Sequence, residues 1–460
     1  MSQNSFPKSW SILGLIFLIT LSWGVFTWPL LTRHEARRAE IVRQSLESQN
    51  WLLPSYQKRP YVTKPPLFTW EAMGLARLLG LREGTLRLPA LLAAVFSLIL
   101  IFLVTKKETD LFSALWAFFI LFSTHKFFLL ARRIELEVPF AFLCLLALLS
   151  FWWHFSRGKL LYRYLAFGFG ALAFLTKGPL AFIIFPALPV YGLWQREKRV
   201  FMALLDPLGW LIFSGIGLSW YAYTYYKLGP GPFHEFIYVD ILGRIKRSHH
   251  DPFYQYFLNL LANSLPWSLI LFYKPRRFFR ERISSRPFLL YSFLNVAVPL
   301  LLLSFTARKF GKYLLPLYPS WAIVLGAWWN FFLQEKKIPL LKASYGAAGL
   351  SLILGLGHVL AEPYLNHIRV ESLKSLETKL DHRRIFLFRF YDPALNFYYP
   401  ELWVLEKPQD VLSLPPGSLI LVQKKDLRSL SGLPLKEKTT LEPFLKKGKK
   451  VFVLEKVKAP

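Results

Sequence analysis

The sequence predicts a polytopic α-helical membrane protein with a small α/β domain after its last membrane span. Three observations carry this. Apolar residues make up 54% and aromatic residues 17% of the 460 residues, and aromatic side chains favour membrane interfaces. Apolar runs recur roughly every 20–30 residues, the repeat of bilayer-crossing helices and their connections. Finally, the stretch 362–460 holds no apolar run long enough to span a bilayer.

The net charge of +29 would suggest nucleic acid in a soluble chain. Here most Lys and Arg sit in short loops between apolar runs, where they orient helices, so the expected partner is the lipid bilayer and no nucleic acid. Cys144, the single cysteine, lies within an apolar run. It excludes an intramolecular disulfide and a paired-cysteine metal site.

Taken in order, Trp10–Leu31 is too long for a secretory signal and lacks a small-residue cleavage site, so it reads as a first span inserted from the cytoplasm. Further spans are expected at 85–104, 111–130, 134–154, 161–177, 179–194, 204–223, 258–273, 287–305, 313–333 and 339–361, about eleven in all. With the N-terminus cytoplasmic, Lys106-Lys107, Arg157–Arg163, Arg196–Arg199, Lys274–Arg286 and Lys336-Lys337 all fall on the cytoplasmic side, as the basic-loop bias requires. The outer face then receives the segment 32–84, the loop 224–257 and the tail 362–460, dividing the chain into a membrane domain (1–361) and an extracytoplasmic α/β domain (362–460). In the tail, Ile385–Phe390, Leu402–Leu405, Ser418–Val422 and Val451–Leu454 read as strands and Glu371–Leu380 as an amphipathic helix. No internal repeat suggests a transporter of duplicated halves.

The informative residues are cations placed against the orientation rule. Arg37, Arg38, Lys64, Lys177, Arg308, Lys309 and Lys312 lie at outer loops or helix ends, and an anionic lipid headgroup such as a polyprenyl phosphate accounts for them economically. Pro65-Pro66 start a helix that Gly80 ends, so Lys64 stands at a helix N-terminus, itself an anion site. The plain alternative is a lysine snorkelling to headgroups. Thr32 and Glu35 form a capping box for the following helix. Its stripe of Ala36, Ala39, Val42 and Leu46 is expected to lie on the membrane surface. The 224–257 loop holds Asp240, Arg244 and His249-His250; no matching second ligand set supports a metal there, and a divalent metal is not indicated elsewhere. Glu135 and Glu137 are functional candidates as carboxylates at membrane depth, or partners of Arg132 or Arg133.

Several motifs recur together: Glu35-Ala36-Arg37-Arg38-Ala39-Glu40-Ile41, Asn50-Trp51-Leu52-Leu53-Pro54, Lys64-Pro65-Pro66-Leu67 and Leu175-Thr176-Lys177-Gly178. Further on come Pro252-Phe253-Tyr254 with Leu265-Pro266-Trp267, and Arg308-Lys309 with Lys312-Tyr313-Leu314-Leu315-Pro316. In order and spacing they resemble the polyprenyl-phosphate-dependent glycosyltransferases of the C-type membrane fold, in particular relatives of lipid A aminoarabinose transferase and of protein O-mannosyltransferases. The resemblance implies a bacterial plasma-membrane enzyme that moves a sugar from polyprenyl (undecaprenyl) phosphate to an acceptor at the outer face. The acceptor would be lipid A or a related glycolipid, or alternatively a protein hydroxyl. The alternative from another class is a flippase for the same lipid-linked sugar.

Under this resemblance Lys64, Arg37, Lys177, Arg244, Arg308 and Lys309 are expected to hold the donor phosphate. Glu35 would orient or deprotonate the acceptor, with His34 standing where the family usually has Asp, and Asp240, His249 and Tyr313 would contact substrate. The family's Glu before the lysine and His three places before the loop arginine are Thr63 and Ile241 here, so the metal binding those residues would support is not expected.

Overall fold

The computed structural model describes residues 8–231, 251–365, 384–441 and 451–457. Most of them are helical. Helix α1 (Lys8–Ser22) is followed by the polar segment that carries α2 (Arg33–Glu47), a two-stranded hairpin of β1 (Ser55–Tyr56) and β2 (Arg59–Pro60), and α3 (Leu67–Leu79). The apolar helices α4 (Glu83–Glu108), α5 (Leu111–Ser123), α6 (His125–Ala131), α7 (Glu137–Arg157) and α8 (Leu160–Lys177) come next, then further helices up to Leu340–Leu365. Among the described residues, five helices are long and apolar enough to cross a membrane, or up to seven if each of two bent pairs is one span. The protein is a multi-pass membrane protein.

Local chemistry accounts for the boundaries. The side chain of Thr32 accepts from Glu35 N at 3.2 Å and caps α2. Pro66 precedes α3, and Gly80 ends it at φ 87°, a conformation that favours glycine. The long stretch Leu160–Gln195 is broken at Gly178, where φ is 72°, separating the expected runs 161–177 and 179–194. Within the bundle, α5 packs closely against Tyr318–Glu335. A Cβ on Gly326 would meet Ser113 O at 2.6 Å and Ala117 N at 2.7 Å, the close backbone approach that small residues permit between membrane helices.

The C-terminal sheet has the strand order β4-β3-β5-β7-β6, built from β3 (Ile385–Phe388), β4 (Trp403–Leu405), β5 (Leu419–Gln423), β6 (Leu435–Leu441) and β7 (Val451–Lys456). The β3–β4 and β3–β5 pairs are parallel, and β5–β7 and β6–β7 antiparallel. Strand β6 is not among the expected strands, because its Leu-Lys-Glu-Lys-Thr-Thr-Leu sequence carries the charges of a protected sheet edge. The expected helix Glu371–Leu380 lies outside the described residues.

The apolar stripe of α2 does not face the membrane. Ala36, Ala39 and Val42 are buried against Phe68, Ala72 and Met73 of α3 and against Ala394 and Phe397 of the short helix Pro393–Tyr398. This corrects the surface-lying expectation: small side chains let two neighbours approach α2 from opposite sides, so the stripe is an internal seam. The seam is pinned by Tyr398, whose hydroxyl donates to Glu83 Oε1 at 2.6 Å and accepts from Leu30 N at 3.0 Å.

Candidate active site

Helix α2 brings two kinds of charge to the seam. Glu35, expected as a base, is fully buried. Its Oε1 accepts from Arg87 Nε at 2.7 Å and Ile134 N at 3.3 Å, and its Oε2 from Leu31 N at 2.9 Å. Arg87 spends its remaining donors on the carbonyls of Val25, Trp28 and Pro29 at 2.7–2.8 Å. Burial pushes the Glu35 carboxyl up, but the Arg87 charge and hydrogen bond outweigh it and hold the carboxyl below its ordinary range. All its partners are internal, so this carboxylate is a clamp joining three segments and is not placed to take a proton from a ligand.

One turn along α2 the situation reverses. Arg38 pairs with Glu135 at 3.0 Å and lies 3.8 Å from Glu137, with its guanidinium 5.8 Å over the Phe68 ring. The other oxygen of Glu137 meets Lys312 Nζ at 3.0 Å and Lys177 Nζ at 3.6 Å. The Lys177 ammonium sits 5.2 Å over the Phe140 ring and 5.0 Å over Tyr313. Three cations therefore surround two carboxylates, and Lys64 lies within electrostatic range of Lys177. Among the described residues, buried Lys177 Nζ, Glu137 Oε2 and Arg37 Nε have no hydrogen-bond partner. A buried cluster with surplus positive charge and unmatched polar atoms is costly without a ligand.

His34 stands exposed at the edge of this cluster, close enough to feel Lys312, Arg37, Arg38 and Glu137. Burial of the ring nitrogens, then the charges of Lys312, Arg37 and Arg38, lower its pKa, so the imidazole is neutral near pH 7.

Of the residues expected at the site, His34, Lys177 and Tyr313 come together with Arg38, and Lys64 and Arg37 lie beside them. Lys309 is elsewhere engaged: its backbone N–H donates to Asp251 Oδ2 at 2.7 Å and its ammonium to the carbonyls of Asp251 and Thr306. Arg308 is exposed, and among the described residues no ion pair brings it to the cluster. Asp240, Arg244 and His249 lie outside the described residues. Glu135 and Glu137, read from sequence as functional candidates or as partners of Arg132 or Arg133, and Arg38 and Lys312, read among the cations for an anionic headgroup, meet in this cluster. Glu135 and Glu137 do not pair with Arg132 and Arg133, which bond Glu362 instead. Among the described residues no group of three or more His, Cys, Asp and Glu side chains could hold a metal ion.

A model of the dolichyl-phosphate-mannose-protein mannosyltransferase family matches residues 37–228, a range that includes Arg38, Lys64, Glu135, Glu137 and Lys177. The crystal structure of ArnT from Cupriavidus metallidurans bound to undecaprenyl phosphate superposes with a TM-score of 0.81 at 16% identity, covering 97% of this chain and 98% of that one. The fold is that of the C-type membrane glycosyltransferases. In sequence, the chain is 28% identical over 326 residues to the undecaprenyl phosphate-alpha-4-amino-4-deoxy-L-arabinose arabinosyl transferase of Erwinia tasmaniensis, covering 68% of this chain and 57% of that one. It is 26% identical over 455 residues to an uncharacterized protein of Aquifex aeolicus, covering 97% of this chain and 99% of that one. The chain thus spans little more than half the length of the arabinosyl transferase it matches.

Proposed function

We propose that the protein is an integral membrane glycosyltransferase that moves a sugar from a polyprenyl phosphate donor to an anionic glycolipid such as lipid A at the outer face of a bacterial plasma membrane. One observation carries the reading: among the described residues the cations around Glu137, Arg38, Lys177 and Lys312, outnumber the carboxylates Glu135 and Glu137, and Lys177 Nζ is buried without a hydrogen-bond partner. A donor phosphate supplies the missing charge and acceptor oxygens. The chemistry conserves atoms simply. The bond from sugar C1 to the phosphate oxygen breaks, the acceptor oxygen bonds to C1, and the departing polyprenyl phosphate keeps the electron pair. Charge therefore grows on the phosphate as the bond breaks, where fixed cations stabilise it most. Glu137 holds the Lys177 and Lys312 ammonium groups in place before the donor arrives.

In this reading Lys64 and Arg37 extend the phosphate site, and neutral His34 orients the acceptor. A phosphate acceptor is already ionised and requires no strong base, which suits the burial of Glu35. The membrane domain (1–361) carries the reaction and the tail (362–460) covers it from outside, with the N-terminus in the cytoplasm. The match to a protein mannosyltransferase family favours a hydroxyl acceptor as the second reading, and there His34 would have to remove a proton.

The test is mass spectrometry of envelope glycolipids and polyprenyl-linked sugars in cells with the wild-type protein, with Lys177→Met, and without the protein. Loss of one glycan modification in both altered strains, with build-up of its polyprenyl-phosphate donor, is the expected outcome. If every glycan is intact and a polyprenyl-linked species accumulates on the cytoplasmic side alone, the protein is a flippase.

A further inference from the structure

A second cleft, of about 950 Å³, opens between the β1–β2 hairpin, the C-terminal half of α2 and the β4 edge of the sheet. Its walls differ from those of the cluster around Glu137. Lys58, Arg59 and Arg389 are exposed on it beside the exposed carboxylates of Glu401 and Glu406, and among the described residues no carboxylate lies within ion-pair distance of the three cations. Trp403 is 66% exposed, and the Lys58 ammonium sits 5.3 Å over its ring, so the indole face is turned to the cleft. Asn396 also lines it, and the Gln44 amide on its wall is engaged by Glu40, Tyr391 and the Lys58 backbone N–H. Lys58 is presented by a turn in which Gln57 and Lys58 have φ of 55° and 57°, a left-handed conformation that favours glycine and asparagine.

A row of tyrosines joins the two places. Tyr61 lies within electrostatic range of Arg38. Its ring is 6.2 Å from that of Tyr56, which is 5.6 Å from Tyr391 on the cleft wall. Tyr391 is held by its hydroxyl, which donates to Glu40 Oε1 at 2.7 Å and accepts from Gln44 Nε2 at 3.0 Å. Arg38 and Arg43, which also lines the cleft, are five residues apart on α2, a rise of about 7.5 Å.

We infer that this cleft is a distal acceptor subsite that binds an anionic saccharide, Trp403 stacking on a sugar face while Lys58, Arg59 and Arg389 pair with phosphate or carboxylate groups. The inference rests on the transferase reading for its role and on the cleft alone for its binding chemistry. Open walls suit a bulky, hydrated headgroup, and an aromatic platform with cations on its rim discriminates a charged sugar from an apolar lipid chain. Trp403 and Arg59 are exposed and belong to neither apolar cluster of the sheet, so replacing them leaves the fold intact.

Binding and turnover are measured separately. Calorimetry on the full-length protein in detergent uses a bisphosphorylated amino-sugar disaccharide as probe, with the unphosphorylated disaccharide as control. Expected is binding of the charged probe that weakens at least tenfold in Trp403→Ala and in Arg59→Glu, with the neutral probe at least tenfold weaker on the wild type. In a transfer assay the same variants raise the acceptor KM by a similar factor and leave kcat and the donor KM unchanged. Equal affinity for both probes, or unchanged affinity in both variants, overturns the subsite. So does stronger binding of an acidic peptide competed by the same substitutions, which would make the β4 edge a protein-docking site. If the probe binds as expected and no transfer is detected, the subsite stands and the transferase reading fails.

Discussion

Glu35 and Glu137 are both buried carboxylates beside the N-terminal half of α2, and they end in opposite circumstances. Glu35 has one guanidinium and two backbone N–H groups, all internal. Glu137 pairs with Lys177 and Lys312 and shares Arg38 with Glu135, and among the described residues one of its own oxygens and the Lys177 ammonium have no hydrogen bond. A pair that satisfies itself stabilises a fold. A cluster that does not is poised for an outside ligand, because the desolvation of its charges is offset only when the missing acceptors arrive. The difference separates structure from chemistry better than burial, which the two carboxylates have in common.

The comparison breaks most visibly at Lys177. Lys177→Met is expected to lower transfer by about 100- to 1000-fold with little change in thermal stability, since Lys312 and Arg38 still compensate Glu137; donor turnover by purified protein and a melting curve check both. Near-normal turnover would place the donor phosphate elsewhere. Glu35→Gln should do the reverse. Leaving Arg87 buried without its carboxylate costs about 3–5 kcal/mol of stability, read as reduced yield and a lower Tm, while kcat per folded molecule stays within a few-fold of wild type. A stable but inactive Glu35→Gln protein would return Glu35 to the chemistry.

His34→Gln sharpens the reading of the acceptor and has a smaller effect. With a phosphate acceptor the rate falls only a few-fold, whereas a hydroxyl acceptor predicts a loss of about 100-fold or more. The pH profile supplies the sign. A neutral imidazole is the useful form, and burial with the nearby cations lowers the His34 pKa. Any acid limb due to His34 therefore appears below the ordinary imidazole range near pH 6.5, with kcat/KM rising as pH increases through it, and it vanishes in His34→Gln. The smallest effect is expected from Tyr398→Phe. Losing the hydroxyl bonds to Glu83 and Leu30 N costs about 1 kcal/mol, and hydrogen exchange of the C-terminal sheet is the readout.

Much of this was open to sequence reasoning, and the limits have physical causes. The membrane class followed from apolar runs, and the ends of α3 from Pro66 and Gly80, because solvation and backbone sterics act locally. The cations at helix ends were visible in the sequence, and Lys177, Lys64 and Arg37 were read there as candidate phosphate ligands. The pairing of Glu35 was not legible because its partner, Arg87, lies 52 residues away on α4. The stripe of Ala36, Ala39 and Val42 has the periodicity of a buried face, but periodicity does not say whether lipid or protein covers it.

The sequence by itself determined the solvent each segment prefers and the supply of charge at the ends of the helices, since both depend on side-chain chemistry summed over short stretches. Tertiary structure alone decided which charges cancel. The pairing of Arg87 with Glu35, the gathering of Arg38, Lys177 and Lys312 around Glu137, and the tyrosine row toward Trp403 join segments far apart in the chain. Electrostatic and hydrogen-bond energies depend on separations of a few ångströms, and those separations exist only once α2 is seated between α3 and the C-terminal helix.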